Sequence, residues 1–354
     1  MATTERPKAR WSSPVVRYVL QRLLFIPAGA VIVATFSFFL VNLVPSDPIG
    51  ALLGDFASPE DIERVREQLG LNEPILNRYI AFLLGVLQGD LGASYYSQAA
   101  VVQSISIRLT SSALLITFGL GVAWGLGVVQ GAIGAIFQGT LIDRIAGAWV
   151  SLVQALPAYV AGLLGLFVFF YLLGWLPAPT GQLSLGVTKP PPATGAALID
   201  TALVGDMVGV GNALAHLVLP VAALGVANSV VFARITRTTL AAALDSPFSE
   251  FSRARGLSRY TVVVQAFNAS KISLLTYVAA VISGLLGGTA FVETIFNWQG
   301  LGQWAVQGLL SNDLPVIQGF VLLSGLLTLA AYVVADLLIL RADPRIRRPF
   351  MGAS

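Results

Sequence analysis

The 354-residue chain contains no cysteine, one histidine (His216) and three lysines (Lys8, Lys189 and Lys271). Without thiols it can form no disulfide, no thiolate metal site and no cysteine nucleophile, and one imidazole makes no cluster of metal ligands. None of the lysines completes a G-x-x-x-x-G-K-[ST] phosphate loop, so the chain cannot hydrolyse ATP by that route. Charge is also scarce. Charged residues make up 11% of the chain and hydrophobic ones 56%, whereas soluble domains carry about 25% charged residues. So few charges cannot clothe the surface of a soluble protein. Mean hydropathy is +0.78, and the apolar residues fall in runs near the ~20 residues that cross a ~30 Å hydrocarbon core. The composition defines a polytopic, all-α membrane protein.

Six candidate spans follow: 23–44, 112–137, 145–173, 213–233, 272–296 and 316–340, each apolar enough to satisfy its backbone as a helix. The first run is too long for a signal peptide and lacks a cleavage signal, so it reads as a retained span. Six spans put both ends on one side, which leaves a segment 1–22, an excursion 45–111, a five-span core 112–340 with a loop at 234–271, and a tail 341–354. The side holding both ends carries 16 of the 21 Lys and Arg residues. By the positive-inside rule that side is cytoplasmic, which accounts for the net charge of +3 without invoking nucleic acid.

The excursion after the first span is too long for a simple connector. Ser58-Pro59-Glu60-Asp61 forms a helix start, with Ser58 as N-cap, proline at the first helical position and acids in the first turn. Gly70 ends that helix. Pro74 opens a second, whose Ile75, Tyr79, Ile80, Leu83, Leu84 and Leu87 share one face, suited either to the membrane surface or to a partner. A later outer segment, 174–212, contains Pro190-Pro191-Pro192 and is expected to be irregular. The spans themselves are nearly bare of charge. Glu293 and Asp336 fall near span ends, where snorkelling to the interface is the expected behaviour. His216 is expected to be a hydrogen-bonded structural residue, with no serine or aspartate partner identifiable for an intramembrane hydrolase. An ion-coupled carrier would call for inverted repeats and broken central helices, and neither is visible.

The informative stretch is Asp245-Ser246-Pro247-Phe248-Ser249-Glu250-Phe251-Ser252-Arg253-Ala254-Arg255-Gly256-Leu257-Ser258. Ser246 can cap a helix that opens on Pro247, carries Glu250 early and Arg253 and Arg255 late, and stops at Gly256. At roughly 1.5 Å per residue such a helix is about 14 Å long, suited to lying along a membrane surface. Phe248, Phe251 and Arg255 fall at i, i+3 and i+7 and share a face. That face can sit in a partner's groove or dip its rings among lipid headgroups.

Glu250 and Gly256 occupy the ends of E-A-A-x-x-x-G, the cytoplasmic signature of ABC-importer permeases. The wider stretches 233–237 and 253–258 resemble the peptide and nickel permease family, specifically its B-type subunit. Further strings are similar to that family: Pro45-Ser46-Asp47-Pro48, Leu69-Gly70-Leu71, Gly89-Asp90-Leu91-Gly92 and Gly174-Trp175-Leu176-Pro177 early in the chain, then Gly284-Leu285-Leu286-Gly287-Gly288, Val292-Glu293-Thr294-Ile295-Phe296 and Asp313-Leu314-Pro315-Val316. Phe251 and Ser252 replace the two alanines of the short signature, Ser273 stands where the family often has proline, and the insertion near 182–206 is longer than the family's.

The resemblance implies a type I ABC-importer permease fold of six spans, with no catalytic or metal site. It implies a second, C-type permease, two ATPases that bind ATP and Mg, and an extracytoplasmic binding protein that delivers peptide, or alternatively nickel chelate, haem or an opine. Phe248, Glu250, Phe251, Ser252, Arg253, Ala254, Arg255, Gly256 and Leu257 would couple to the ATPases. Gly284, Gly287, Gly288 and Glu293 would line the pathway or pack helices. The implied location is a bacterial plasma membrane.

Overall fold

The computed structural model describes residues 14–43, 49, 53 and 58–342. The string Pro45-Ser46-Asp47-Pro48, residues 1–13 of the N-terminal segment and residues 343–354 of the tail lie outside the described residues. Among the described residues twelve α-helices follow in order: α1 (Pro14–Leu43), α2 (Pro59–Gln68), α3 (Ile75–Gln88), α4 (Val101–Ile136), α5 (Leu141–Ala155), α6 (Ala158–Gly165), α7 (Ala197–Leu203), α8 (Met207–Leu244), α9 (Pro247–Ala254), α10 (Arg259–Ile295), α11 (Leu301–Leu310) and α12 (Leu314–Ala342). α6 runs directly into a π-helical stretch, Leu166–Leu172.

Among the described residues five helices (α1, α4, α8, α10 and α12) contain segments long and apolar enough to cross a membrane. The stretch expected as the third span is not a single rod. The expected span 145–173 is two helices, Leu141–Ala155 and Ala158–Leu172, bent by 97°. Leu156 takes an extended conformation and Pro157 caps the second piece, because a residue ahead of proline is driven out of the helical region. The expectation of unbroken spans fails at this point. Other bounds move outward. α4 begins at Val101, ahead of the position 112 expected from hydropathy, and α8 covers 207–244 where the apolar core 213–233 had marked the span. At about 1.5 Å per residue, the 38 residues of α8 exceed the hydrocarbon thickness.

The core is built on a parallel seam between α4 and α8. Here small residues are required: a Cβ on Gly127 would lie 2.5 Å from Phe232 Cβ, and one on Gly131 2.4 Å from the Ala233 carbonyl. Close backbone approach is how helices associate where no hydrophobic effect separates them from lipid. Leu115, Leu224, Leu285, Val292 and Phe232 fill the space where α10 lies across this pair. At the end of the seam, Arg237 of α8 grips Asp143 of α5 with two hydrogen bonds of 2.9 Å.

The excursion folds as its capping residues require. Ser58 accepts the Asp61 amide, and Gly70 adopts φ +65° after α2. α3 packs Tyr79 and Phe82 against Phe38 of α1, and Tyr79 shares a 2.7 Å hydrogen bond with Thr35. Its Ile75, Ile80, Leu84 and Leu87 remain exposed. The excursion is tied to the turn before α12, where Asp313 accepts Ser94 Oγ at 2.5 Å and the Tyr95 amide at 3.2 Å. Burial at this junction pushes the Tyr95 phenol above its ordinary range; Arg78 opposes the rise and Asp313 adds to it.

Candidate functional site

α9 joins the ends of α8 and α10, the two longest helices among the described residues. Ser246 caps it, its Oγ accepting the Ser249 amide at 3.4 Å and donating to the Ala243 carbonyl at 2.7 Å. Pro247 takes the first helical position, where its missing N–H costs nothing. The helix ends after eight residues, one shorter than its sequence pattern implies. Gly256 then turns the chain at φ +76°, its amide donating to the Arg253 carbonyl and that of Leu257 to the Ser252 carbonyl. Ser258 caps α10 in turn, accepting the Thr261 amide at 3.2 Å.

Hydroxyls, not apolar groups, hold this helix to the protein. Ser249 is fully buried and donates to the Ala243 carbonyl at 2.7 Å, and Ser252 donates to Gln265 Oε1 at 3.1 Å. Arg253 reaches back to the Leu244 carbonyl at 2.6 Å. Of the candidate coupling residues, Phe248, Glu250, Phe251, Ala254, Arg255, Gly256 and Leu257 are exposed, with Phe248 55% and Phe251 61% accessible. The Arg255 guanidinium sits 5.7 Å from the Phe251 ring, so the cation and an aromatic knob do share a face. Ser252 is different. Its side chain is buried and turned toward Gln265, so it anchors the helix and is not available to a partner. Ser249 and Gln265 were missed, because a serine inside a polar helix carries no sign in sequence of the direction it faces.

At the opposite end of the bundle the Glu293 expectation is overturned. Its carboxylate does not snorkel; the residue is fully buried and accepts Ser112 Oγ at 2.6 Å and the Gln303 amide at 2.9 Å. Ser112 Oγ also accepts the Leu301 amide at 2.8 Å, so α4, α10 and the start of α11 meet at one polar knot. The backbone passes so near that a Cβ on Gly300 would lie 2.5 Å from Glu293 Oε2. Gly284, Gly287 and Gly288 behave in the contrary way. A Cβ on any of them meets nothing within 4 Å, so they pack no helix among the described residues. Close approaches occur at other glycines, Gly127 and Gly131 of the α4–α8 seam among them.

His216 is buried, as a structural histidine should be, and its Nε2 lies 2.9 Å from Ser184 Oγ. The hydrogen-bonded role expected of it is met, by a serine that the sequence did not identify. Asn212 holds that serine from both sides, accepting its amide and donating to its Oγ, each at 2.9 Å. The trio pins the 174–206 segment to the start of α8.

A bundle of helices apolar enough to cross a membrane, close-packed through glycines and presenting a capped helix between its longest members, defines a multi-pass membrane protein. Residues 126–348 match the family described as binding-protein-dependent transport system inner membrane component, and residues 15–115 match the N-terminal region of the same components. The chain belongs to this family. It is similar to the dipeptide transport system permease protein DppB of Escherichia coli K12, with 29% identity over 94% of this chain and 99% of the relative. It is also similar to a putative peptide transport system permease protein of Brucella abortus strain 2308, 31% identical over 93% and 98%. A di/tripeptide transport system permease protein of Pseudomonas aeruginosa UCBPP-PA14 is 32% identical over 89% and 94%. The protein is thus a multi-pass inner-membrane permease of the ABC-importer type.

Proposed function

We propose that this chain is one of two permease subunits of an ATP-driven importer for di- and oligopeptides. It pairs with a C-type permease, stands on two ABC ATPases and receives peptide from an extracytoplasmic binding protein. Both termini and α9 face the cytoplasm, in keeping with the excess of Lys and Arg on that side. The chain itself is non-catalytic, and ATP and Mg are bound by the ATPases. The observation that carries the reading is α9: a rigid, doubly capped helix whose only large apolar groups, Phe248 and Phe251, point away from the protein.

When the ATPases close, the exposed rings sit in their groove and α9 moves with them as a rigid body. Ser249 and Ser252 fasten α9 to the end of α8 and to α10, so the displacement passes into two helices that run the full depth of the bundle. The open glycine stripe Gly284–Gly288 lies where the second permease approaches, and the pathway runs along that boundary. Peptide as cargo follows the naming of the relatives. The test is uptake of radiolabelled dialanine by proteoliposomes holding all subunits. ATP-dependent uptake that survives collapse of the proton gradient supports the reading, and uptake that needs the gradient but not ATP refutes it.

A further inference from the structure

The end of the bundle opposite α9 holds a cavity of about 430 Å³, within the range of small-molecule sites, between the 180–200 segment, the start of α4 and the stretch 297–307. Three charged residues line it: Arg108, Lys189 and Asp200. The acid is fully engaged. Asp200 Oδ1 accepts the Thr194 amide and hydroxyl, both at 2.8 Å, and Oδ2 accepts the Gly195 amide at 3.1 Å, which folds the 194–195 turn. The cations are not. Arg108 is 5.6 Å from the Trp304 ring and donates one hydrogen bond, from Nη1 to the Ser104 carbonyl at 3.0 Å. Neither Arg108 nor Lys189 forms an ion pair among the described residues.

Arg108 is therefore oriented without being neutralised. Trp304, itself only 8% exposed, supports one side of the guanidinium, and Ser104 holds one of its five N–H donors. The remaining donors form the planar fork that recognises carboxylates through paired hydrogen bonds. Lys189, exposed on the proline-rich segment, adds a second positive charge at the mouth. Two of the neighbouring amides, Gln182 and Gln303, are already spent within the fold on Ser111, Ala197, Asn297 and Gln299.

We propose that this cavity is a carboxylate-binding site that takes the C-terminal carboxylate of a peptide before it enters the pathway, with Arg108 as the anion ligand and Lys189 as an electrostatic guide. The identity of the ligand as a peptide rests on the functional reading above; the carboxylate chemistry rests on the cavity alone.

The test places an environment-sensitive fluorescent amino acid at position 307, on the cavity lining, in the assembled transporter in lipid nanodiscs without binding protein. N-acetylalanine is expected to give a saturable signal and N-acetylalanine amide none. Arg108→Gln should raise the half-saturation concentration by about tenfold or more, the scale of a lost charge-assisted pair, and Arg108→Lys by less. Because Arg108 also contacts Trp304, the exposed Lys189→Gln serves as the variant without a folding role; it should weaken the acid by roughly threefold and leave the amide unaffected. Equal responses to acid and amide, no response, or indifference to both substitutions would overturn the proposal. So would a silent probe combined with weakened binding-protein docking in Arg108→Gln, which would assign the cavity to a protein contact. A carboxylate signal in a transporter that fails to take up dialanine would sink the peptide reading and leave the site standing.

Discussion

Phe251 and Ser252 are adjacent in the sequence and serve opposite purposes, one exposed at the tip of α9 and the other buried against Gln265. Phe251→Asp should abolish ATP-dependent uptake while leaving membrane insertion and the melting temperature in detergent intact, because the ring contributes no internal packing. Gly256→Pro should do the same by a different route. It forces φ from +76° to about −65° and removes the hydrogen bond that the Gly256 amide donates to the Arg253 carbonyl, so α9 is re-aimed without being unfolded. Normal uptake in either variant would count against coupling through α9. Glu293 belongs to the other class. Glu293→Ala leaves Ser112 and the Gln303 amide without their acceptor and should cost about 2–3 kcal/mol, read as a lowered melting temperature; Glu293→Gln, which keeps an acceptor, should cost less. Sequence located all these residues, and the capping pattern at Ser246, Pro247 and Gly256 also revealed where the short helix begins and stops, though not that Ser252 turns inward. It could not show what Glu293 does, because the partners of that carboxylate lie 181 and 10 residues away.

At the scale of elements, hydropathy found the crossings but not their ends or their shape. The ends of α4 and α8 extend beyond the apolar core because polar residues such as Ser104, Thr236 and Arg237 find partners or burial there, and a transfer scale scores each residue as if it were alone. The expected third span reads as continuous because no charge interrupts 145–173, while its 97° bend depends on Pro157 and on where α5 and α6 settle against α8. Glycines are the sharpest case. The motif Gly284-Leu285-Leu286-Gly287-Gly288 looks like a packing seam, yet the tight seam is at Gly127 and Gly131, since spacing alone does not tell which face meets a neighbour. Gly131→Val should therefore destabilise the isolated chain by about 1–3 kcal/mol or prevent its folding, as overpacking does. Gly284→Leu should leave the melting temperature of the isolated chain unchanged. If the open stripe is where the second permease docks, the same substitution should lower the yield of the heteromeric complex in pull-down; an unchanged yield would remove the stripe from that interface.

On the scale of the whole molecule, this chain is one part of a machine. Its exposed rings on α9, its open glycines and its cavity at the opposite end of the bundle are surfaces and a site that the isolated chain leaves unfilled. Purification in mild detergent should bring ATPase polypeptides with the wild-type chain and fail to do so with Phe251→Asp. Recovery of the chain without ATPases under all conditions would contradict the assembly. By itself the sequence determined that the protein is all-helical and membrane-spanning, where the short helix begins and stops, and which family it resembles, because hydropathy, capping and turn chemistry act over a few residues. Only the tertiary structure decided which glycines touch, that Glu293 is knotted and not snorkelling, that His216 has a serine, and that Arg108 is held ready in a cavity. Each of those outcomes depends on groups far apart in the chain being brought within a few ångströms, and local pattern contains no record of such meetings.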